Sequence, residues 1–595
     1  MSDADNPDPD RAVLILYATE TGNAQDVADR VARQCRRIHL RARVLSMDAY
    51  SSMDLISEPL VFFVVSTTGS GIEPRSMTPL WNMLLRSDLP KDLFDELHFA
   101  IFGLGDTSYE KFCWPAKKLA RRMESLGATK IYATGEGDDQ HPLGLDGALE
   151  PWMTGLANTL VELLPLPEGL EILPPDHIFP ARVAFKETKK PDSFEDPINT
   201  DPSYYDTIVK NNLRITTQDW YQDVRHLEFD FKDDIQYSPG DIAVIHPQTH
   251  PDDVEEFLSS MGWGNIADEP YSIERVYDDQ SLPDHLPRLS TLRIIFTRYL
   301  DFNAVPRRTF FRYLRDFTTE ALETERLNEF LSDSPEGAED LYEYCYRPRR
   351  TIIEVLSDFR NVKIPKDYIF DVFPFLRPRQ FSIASSVKVH PRQIHLCVAM
   401  IQYRTKWIKA QRRGVCSMYL SRLKPGDTLK IGIQKGFIRL PENNQTPIIC
   451  IGPGTGIAPM RAILQERVHK ECPENTLYFG CRSELKDQHY KHDWEGYVAR
   501  NVLCYRLACS RDGPEGVART YVQNLLKEDA ERIWKLLNER GAWVVISGSS
   551  NKMPAGVKGA LRQSVRQYGG RTEEEAKEYV QNLERAGRLI EECWS

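Results

Sequence analysis

Between residues 11 and 165 the chain alternates short, uninterrupted apolar runs with stretches of helical period. AVLILYAT, LVFFVVSTTG and HFAIFGLGD begin as continuous apolar segments, which fits strands buried on both faces of a parallel sheet. AQDVADRVARQCRR repeats its apolar residues at the spacing of an amphipathic helix. This alternation predicts a doubly wound parallel sheet for residues 1–165. LPLPEGLEILPPDHIFP follows, too rich in proline for regular structure, and predicts a linker over 166–203. From about 204 the texture changes to short strands with turns (TIVKNNLRITT, HLEFDF, GDIAVIHP), as in a small antiparallel barrel. That barrel spans 204–440 and is interrupted at about 255–365 by a charged, helical insertion. From 441 PIICIGPGTGIAPMRAILQERV starts a second α/β unit, which runs to residue 595.

Composition narrows the class. With 41% hydrophobic and 27% charged residues the chain is an ordinary globular protein. No apolar run approaches the roughly 20 residues needed to span a bilayer. The start, MSDADNPDPD, is acidic and proline-rich, unlike a signal or transit peptide, so a cytoplasmic protein without a membrane anchor is expected. A net charge of −12 argues against nucleic acid as a partner. The 11 cysteines and 13 histidines show no metal spacing, so no metal is expected.

Three loops follow the three apolar strands, and in an open α/β sheet ligands lie outside the C-terminal strand ends. TETGNA (Thr19, Glu20, Thr21, Gly22, Asn23, Ala24) opens a helix with small residues, the usual form of a phosphate cradle. STTG (Ser66, Thr67, Thr68, Gly69) and LGDTSYEKFC follow the next two strands. The latter holds Leu104, Gly105, Asp106, Thr107, Ser108, Tyr109, Glu110, Lys111, Phe112 and Cys113. Together they point to a phosphate plus a flat ring stacked on Tyr109. In the barrel, RPRQFSIASS combines a cation, a ring and a hydroxyl in Arg379, Phe381 and Ser382, with Gln380 between them. Gly414, Val415, Cys416 and Ser417 open a helix as a second anion cradle. The GPGTG turn with Thr455 lets backbone approach a pyrophosphate closely. SRDGPEGVARTYVQ adds Ser510, Arg511, Arg519, Thr520, Tyr521, Val522 and Gln523, and its two arginines suit a phosphate monoester.

This order of motifs, covering nearly the whole chain, resembles the diflavin reductases. ISEPLVFF, GLGDTSYEKF and GDDQHPLGLDGALEPW resemble their cytosolic NADPH-dependent branch, which serves iron–sulfur protein assembly. The resemblance implies a flavodoxin-like FMN domain, an FAD barrel and a ferredoxin-reductase-like NADPH domain. It implies electron flow from NADPH through FAD and FMN to an anamorsin-type iron–sulfur protein. It places the first three loops and Asp139 on FMN, and Arg349, Arg379–Ser382 and Gly414–Ser417 on FAD. Ser382, Ser547, Glu592 and the terminal Trp594 fall at the hydride site, with Trp594 stacked on the FAD ring. Ser547 stands where cysteine is common and Glu592 where aspartate is common; Ser549 and Gly556 replace acidic residues. Thr68 replaces an aromatic, and Cys113 an asparagine. The FMN domain is expected to swing on its linker, and Glu73, Asp106, Glu110 and Asp138 are expected to form an acidic docking patch. Two readings compete: a soluble reductase serving a haem protein or another metabolic acceptor, and a scaffold that has lost turnover.

Overall fold

The computed structural model describes residues 11–69, 71–109, 111–189, 194–513 and 519–594, the last without its side chain. Two compact units share the chain, each assembled from separate segments. One comprises Met1–Pro197, Thr249–Arg377 and Thr405–Lys409; the other comprises Ile198–Gln248, Pro378–Arg404 and Ala410–Ser595.

The first unit opens with β1 (Ala12–Ala18), α1 (Asn23–Arg37), β2 (Arg41–Ser46), β3 (Leu60–Ser66), α2 (Thr78–Leu84) and β4 (His98–Gly105). It continues through α3 (Trp114–Ser125), β5 (Thr129–Lys130), β6 (Gly135–Asp138) and α4 (Asp146–Leu163). The strands form one parallel sheet in the order β2-β1-β3-β4-β5, with β6 also on β4. Helices cover both faces, so β3 is buried along nearly its whole length and the sheet separates two apolar cores.

The proline-rich stretch after α4 lies against this domain. Its carbonyls serve as acceptors: Leu164 and Pro165 for Arg11 (2.8 and 2.6 Å), Glu171 for His39 (2.9 Å), and Leu173 for Arg37 (2.9 Å). Proline removes donors but leaves acceptors, and arginines supply what the segment lacks. Within the expected linker, β7 (Val183–Glu187) forms regular structure.

The chain then enters the second unit with β8 (Tyr204–Arg214), β9 (Val224–Phe231) and β10 (Ile242–Ile245). It returns to the first with α5 (Pro251–Ser260), β11 (Tyr271–Arg275), β12 (Leu289–Ser290), α6 (Leu292–Arg298), α7 (Arg308–Asp316), α8 (Ala321–Phe330), α9 (Pro335–Leu341), α10 (Ile352–Asp358) and α11 (Ile369–Val372). β7 pairs with β11 in a three-stranded sheet, and the helices close on an aromatic core in which Phe257 stacks on Phe302 at 4.3 Å. The insertion expected at 255–365 thus belongs to the compact stretch 249–377, and Phe375, beyond its expected end, forms a β-bridge with Leu300 inside it.

β13 (Arg379–Ser382), β14 (Gln393–Ala399), α12 (Val415–Arg422) and a strand at Thr428–Gln434 resume the second unit. Six strands there form an antiparallel sheet around their own core. The chain ends in a five-stranded parallel sheet whose central strands are Ile448–Ile451, Asn475–Cys481 and Trp543–Ser549, with Leu503–Cys509 and Leu589–Trp594 at its edges. Among the described residues, no helix is long and apolar enough to cross a membrane.

Candidate functional site

At the top of the first sheet, β1 delivers Thr19 to the N-terminus of α1. The Thr19 hydroxyl accepts from the Gly22 N–H (2.9 Å), while the Thr19 N–H donates to Ser76 Oγ (3.1 Å). Gly22 is the helix N-cap with φ of 90°, a conformation glycine adopts without strain. No side chain caps α1, so its first-turn N–H groups present the positive end of the helix to an anion. Glu20, expected on the ligand, instead accepts from the Arg75 N–H (2.6 Å). Ala24 is buried, and the Asn23 amide oxygen accepts from Arg307 (3.0 Å).

The middle loop spends two hydroxyls on neighbouring backbone, Ser66 on Ala18 O (3.1 Å) and Thr67 on Leu104 O (2.8 Å). Thr68 closes the turn with Ile72, and its buried hydroxyl has no hydrogen-bond partner. Gly71, with φ of 96°, lies so close to Lys111 that an added Cβ would meet the lysine Cβ at 2.5 Å.

In the third loop Asp138 accepts from the Thr107 N–H (3.0 Å), the Thr107 hydroxyl (2.7 Å) and the Gln140 N–H (3.0 Å). These donors outweigh burial and hold its carboxyl below the ordinary range. Asp106 accepts from the Ser108 N–H and from Gln140. Tyr109 is half-buried, as is Phe112, whose ring faces Lys117. Asp139 sits beside Gly105 with its carboxyl raised by burial and by Asp106, against Arg307 and Arg349. Cys113 is wholly buried at φ of 51° and its thiol is pushed up to about 12, mainly by burial. Of the expected acidic patch, Glu73 is paired with Lys118, Asp106 and Asp138 are engaged in loop hydrogen bonds, and Glu110 lies outside the described residues.

In the second unit β13 pairs with β10 and places Ser382 opposite Ile242. Arg379 and Gln380 are exposed and Phe381 is half-buried. The Ser382 hydroxyl donates to Glu592 at 3.2 Å. Glu592 is also the register partner of Ser547, which is fully buried and whose hydroxyl has no hydrogen-bond partner. Three residues expected at one site, from three distant segments, are thus gathered. Trp594 ends the last strand in register with Ser549; its side chain lies outside the described residues.

α12 begins at Val415 behind Gly414, again without a side-chain cap. The Ser417 hydroxyl turns inward to Gly414 O (3.1 Å), and Cys416 is buried with its thiol pushed up to about 12 by burial. At the GPGTG turn Gly454 has φ of 59°, and a Cβ on Gly456 would stand 2.1 Å from Ser547 O. Backbone meets backbone there, leaving Thr455 half-buried on the turn. Arg511 is held by its N–H on Arg482 O (2.8 Å), and Ser510 by its N–H on Cys481 O (3.0 Å). The Tyr221 ring faces both Arg482 (5.2 Å) and Arg511 (5.7 Å). Arg519 and Tyr521 are exposed, Thr520 and Gln523 half-buried, and Val522 packs in the core. Residues 514–518 lie outside the described residues.

Arg349 belongs to the insertion in the first unit, whereas the other residues expected on FAD belong to the second. Sequence reasoning missed Arg482 and Tyr221; a basic residue directly after the strand TLYFGC was the available signal for the first. It also missed Arg307 and Arg377, which reach the start of α1 from the insertion. His226, Glu228 and His395 present donor atoms within 4.8 Å of one another, which no spacing announced. Arg461 lies 3.3 Å from His395 Nδ1, and burial with the neighbouring His390 and Arg461 keeps His395 neutral. That guanidinium opposes a further cation.

The cradles suit the groups that the motifs imply: two uncapped helix starts and a glycine turn for phosphates, and orphaned hydroxyls at Thr68 and Ser547. The chain matches three families in order, flavodoxin over residues 15–152, the FAD binding domain over 199–419, and the oxidoreductase NAD-binding domain over 450–558. It is 41% identical to the NADPH-dependent diflavin oxidoreductase 1 of Cryptococcus neoformans, across 98% of this chain and all of the relative. Identity to the protein of the same name from Danio rerio is 38%, over 98% and 99% of the two chains. For that of Bos taurus it is 37%, over 99% and 100%.

Proposed function

The chain belongs to the NADPH-dependent diflavin oxidoreductases, and from that premise we propose that it serves an anamorsin-type iron–sulfur protein in cytosolic iron–sulfur cluster assembly. It is an enzyme of electron transfer using FMN, FAD and NADPH. When bound, these groups convert a two-electron hydride donor into a source of single electrons for a protein acceptor.

The residues of the chain supply placement and electrostatics. The 19–24 loop and the uncapped start of α1 hold the FMN phosphate; the 66–69 and 104–113 loops flank the ring, with Tyr109 as its stacking face. Arg379, Phe381 and the Gly414–Ser417 helix start hold FAD. Arg511 and Arg519, with Ser510 and Tyr521, read the 2′-phosphate that distinguishes NADPH from NADH. Ser382, Ser547 and Glu592 form the polar floor of the hydride site. The Ser382–Glu592 hydrogen bond fixes the carboxylate, and a fixed negative charge favours the positive charge that develops as a donor gives up hydride.

The flavodoxin-like domain must expose its FMN edge to a partner, and we assign the pivot to residues 174–178. Leu173 is bonded to Arg37, and the Phe179 carbonyl accepts from Tyr368 (3.1 Å), so the five residues between them connect two anchored points. At full extension they span about 18 Å.

The acceptor assignment rests on the likeness of GLGDTSYEKF and GDDQHPLGLDGALEPW to one branch of the family. The test mixes NADPH-reduced protein with an anamorsin-type partner and, separately, with a haem monooxygenase. Rapid oxidation by the iron–sulfur protein is expected; transfer to the haem protein alone would overturn the assignment.

A further inference from the structure

α1 begins at the loop assigned above to the FMN phosphate, and its first turn is met by two arginines that the flavodoxin-like domain does not own. Arg377, at the end of the insertion, lays its guanidinium against Gly22. A Cβ built on Gly22 would stand 2.4 Å from Arg377 Cζ, 2.5 Å from Nε and 2.8 Å from Nη2. Its Nη1 donates to Gln25 Oε1 at 2.7 Å, one turn along the same helix face, and its other side rests on the Phe375 ring at 4.9 Å. Arg307, just before α7, donates to Asn23 Oδ1 at 3.0 Å and pairs with Asp26.

Two cations at the start of a helix oppose the helix dipole, which is positive there and favours anions. Asp26 in the first turn offsets one of them. Burial lowers the pKa of Arg377, against the influence of Asp284, Asp26 and Asp29. A phosphate dianion on the 19–24 loop would favour both the helix dipole and the guanidinium, since it stands among the same N–H groups and beside the same arginine.

We propose that Arg377, carried by the helical insertion, is part of the phosphate-binding end of the FMN site, with Arg307 orienting Asn23 beside it. The flavodoxin-like domain therefore holds its cofactor with help from another part of the chain. Because linkage is reciprocal, FMN strengthens the docking of that domain on the insertion, and loss of FMN loosens it. The inference rests on the reading that residues 19–24 hold the phosphate.

The test uses the full-length protein stripped of FMN, titrated with FMN and with riboflavin, which lacks the phosphate, and read by flavin fluorescence. Arg377→Gln is expected to weaken FMN about tenfold while riboflavin affinity stays unchanged, as loss of one charge-assisted contact implies. Arg377→Lys keeps the charge and is expected to recover most of the FMN affinity. Three results would overturn the proposal: FMN affinity unchanged in Arg377→Gln, FMN and riboflavin weakened together, or Arg377→Lys as weak as Arg377→Gln. Thr21→Glu separates the underlying reading. It adds a carboxylate to the loop and must weaken FMN if the loop holds the phosphate; unchanged FMN affinity there removes the loop assignment itself.

Discussion

Replacing Arg182 by Met tests what ties the flavodoxin-like domain to its insertion. Arg182 joins Asp29 of α1 (3.2 Å) to Asp371 of the insertion (3.0 Å), and all three side chains are at most 6% exposed. Removing one member of a buried ion pair costs about 3–5 kcal/mol, because the other charge is stranded. Here each carboxylate keeps something. Asp29 still accepts from the Ser281 hydroxyl (2.8 Å) and N–H (3.1 Å), and Asp371 from the Arg182 N–H (3.1 Å). The lower end, about 3 kcal/mol, is therefore expected. Burial already raises the Asp29 carboxyl, and Arg182 is the main influence opposing that rise. A carboxyl raised in the folded state contributes stability at low pH that is lost as pH rises through its folded value. Without Arg182 that value rises further, so the deficit should be largest near neutrality and shrink on acidification. The assay is urea unfolding of the full chain at several pH values, in which the transition of the first unit moves and that of the second does not. The triple variant Arg182→Met/Asp29→Asn/Asp371→Asn removes the stranded charges and should recover most of the loss. A single variant costing under about 1 kcal/mol, or a triple variant no better than the single, would refute the argument.

Glu592→Gln and Ser382→Ala should each slow reduction of FAD by NADPH about 10- to 100-fold in stopped-flow measurements; unchanged rates would remove the pair from the hydride site. Gly456→Ala forces a Cβ to 2.1 Å from Ser547 O and should destabilise the second unit by about 1–3 kcal/mol, whereas Gly496→Ala meets open space and should be tolerated. Arg511→Ala should narrow the preference for NADPH over NADH about tenfold, seen in the ratio of their kcat/KM values. Trp594→Ala should bind NADPH more tightly, release NADP⁺ more slowly and use NADH better; equal affinities for both nucleotides before and after would show that the tail is no gate.

Much of the fold was legible because its signals are local. A run such as LVFFVVS can be buried only between two layers, and a hydroxyl- and glycine-rich loop before a helix exposes N–H groups whatever lies elsewhere. Module order follows from such signals, whereas the identity of the flavins rests on the resemblance to the diflavin reductases. Individual contacts are harder to read. Glu20 lies inside the first cradle yet turns to Arg75, and Val522 lies inside the arginine motif yet packs in the core. In both cases a neighbouring element, invisible to the motif, offers the side chain a better partner.

The sequence by itself determined the main elements and the loops between them, since backbone geometry and period settle those within a few residues. Only the tertiary structure decided which charges meet. The chain carries 75 Lys and Arg against 87 Asp and Glu, and nothing in their spacing selects Arg182 for Asp29 and Asp371. Arg377 reaches Gln25 across 352 residues of chain. Such pairs exist because shape and area decide how the apolar cores pack, and the charges at their margins take the partners that packing leaves within reach.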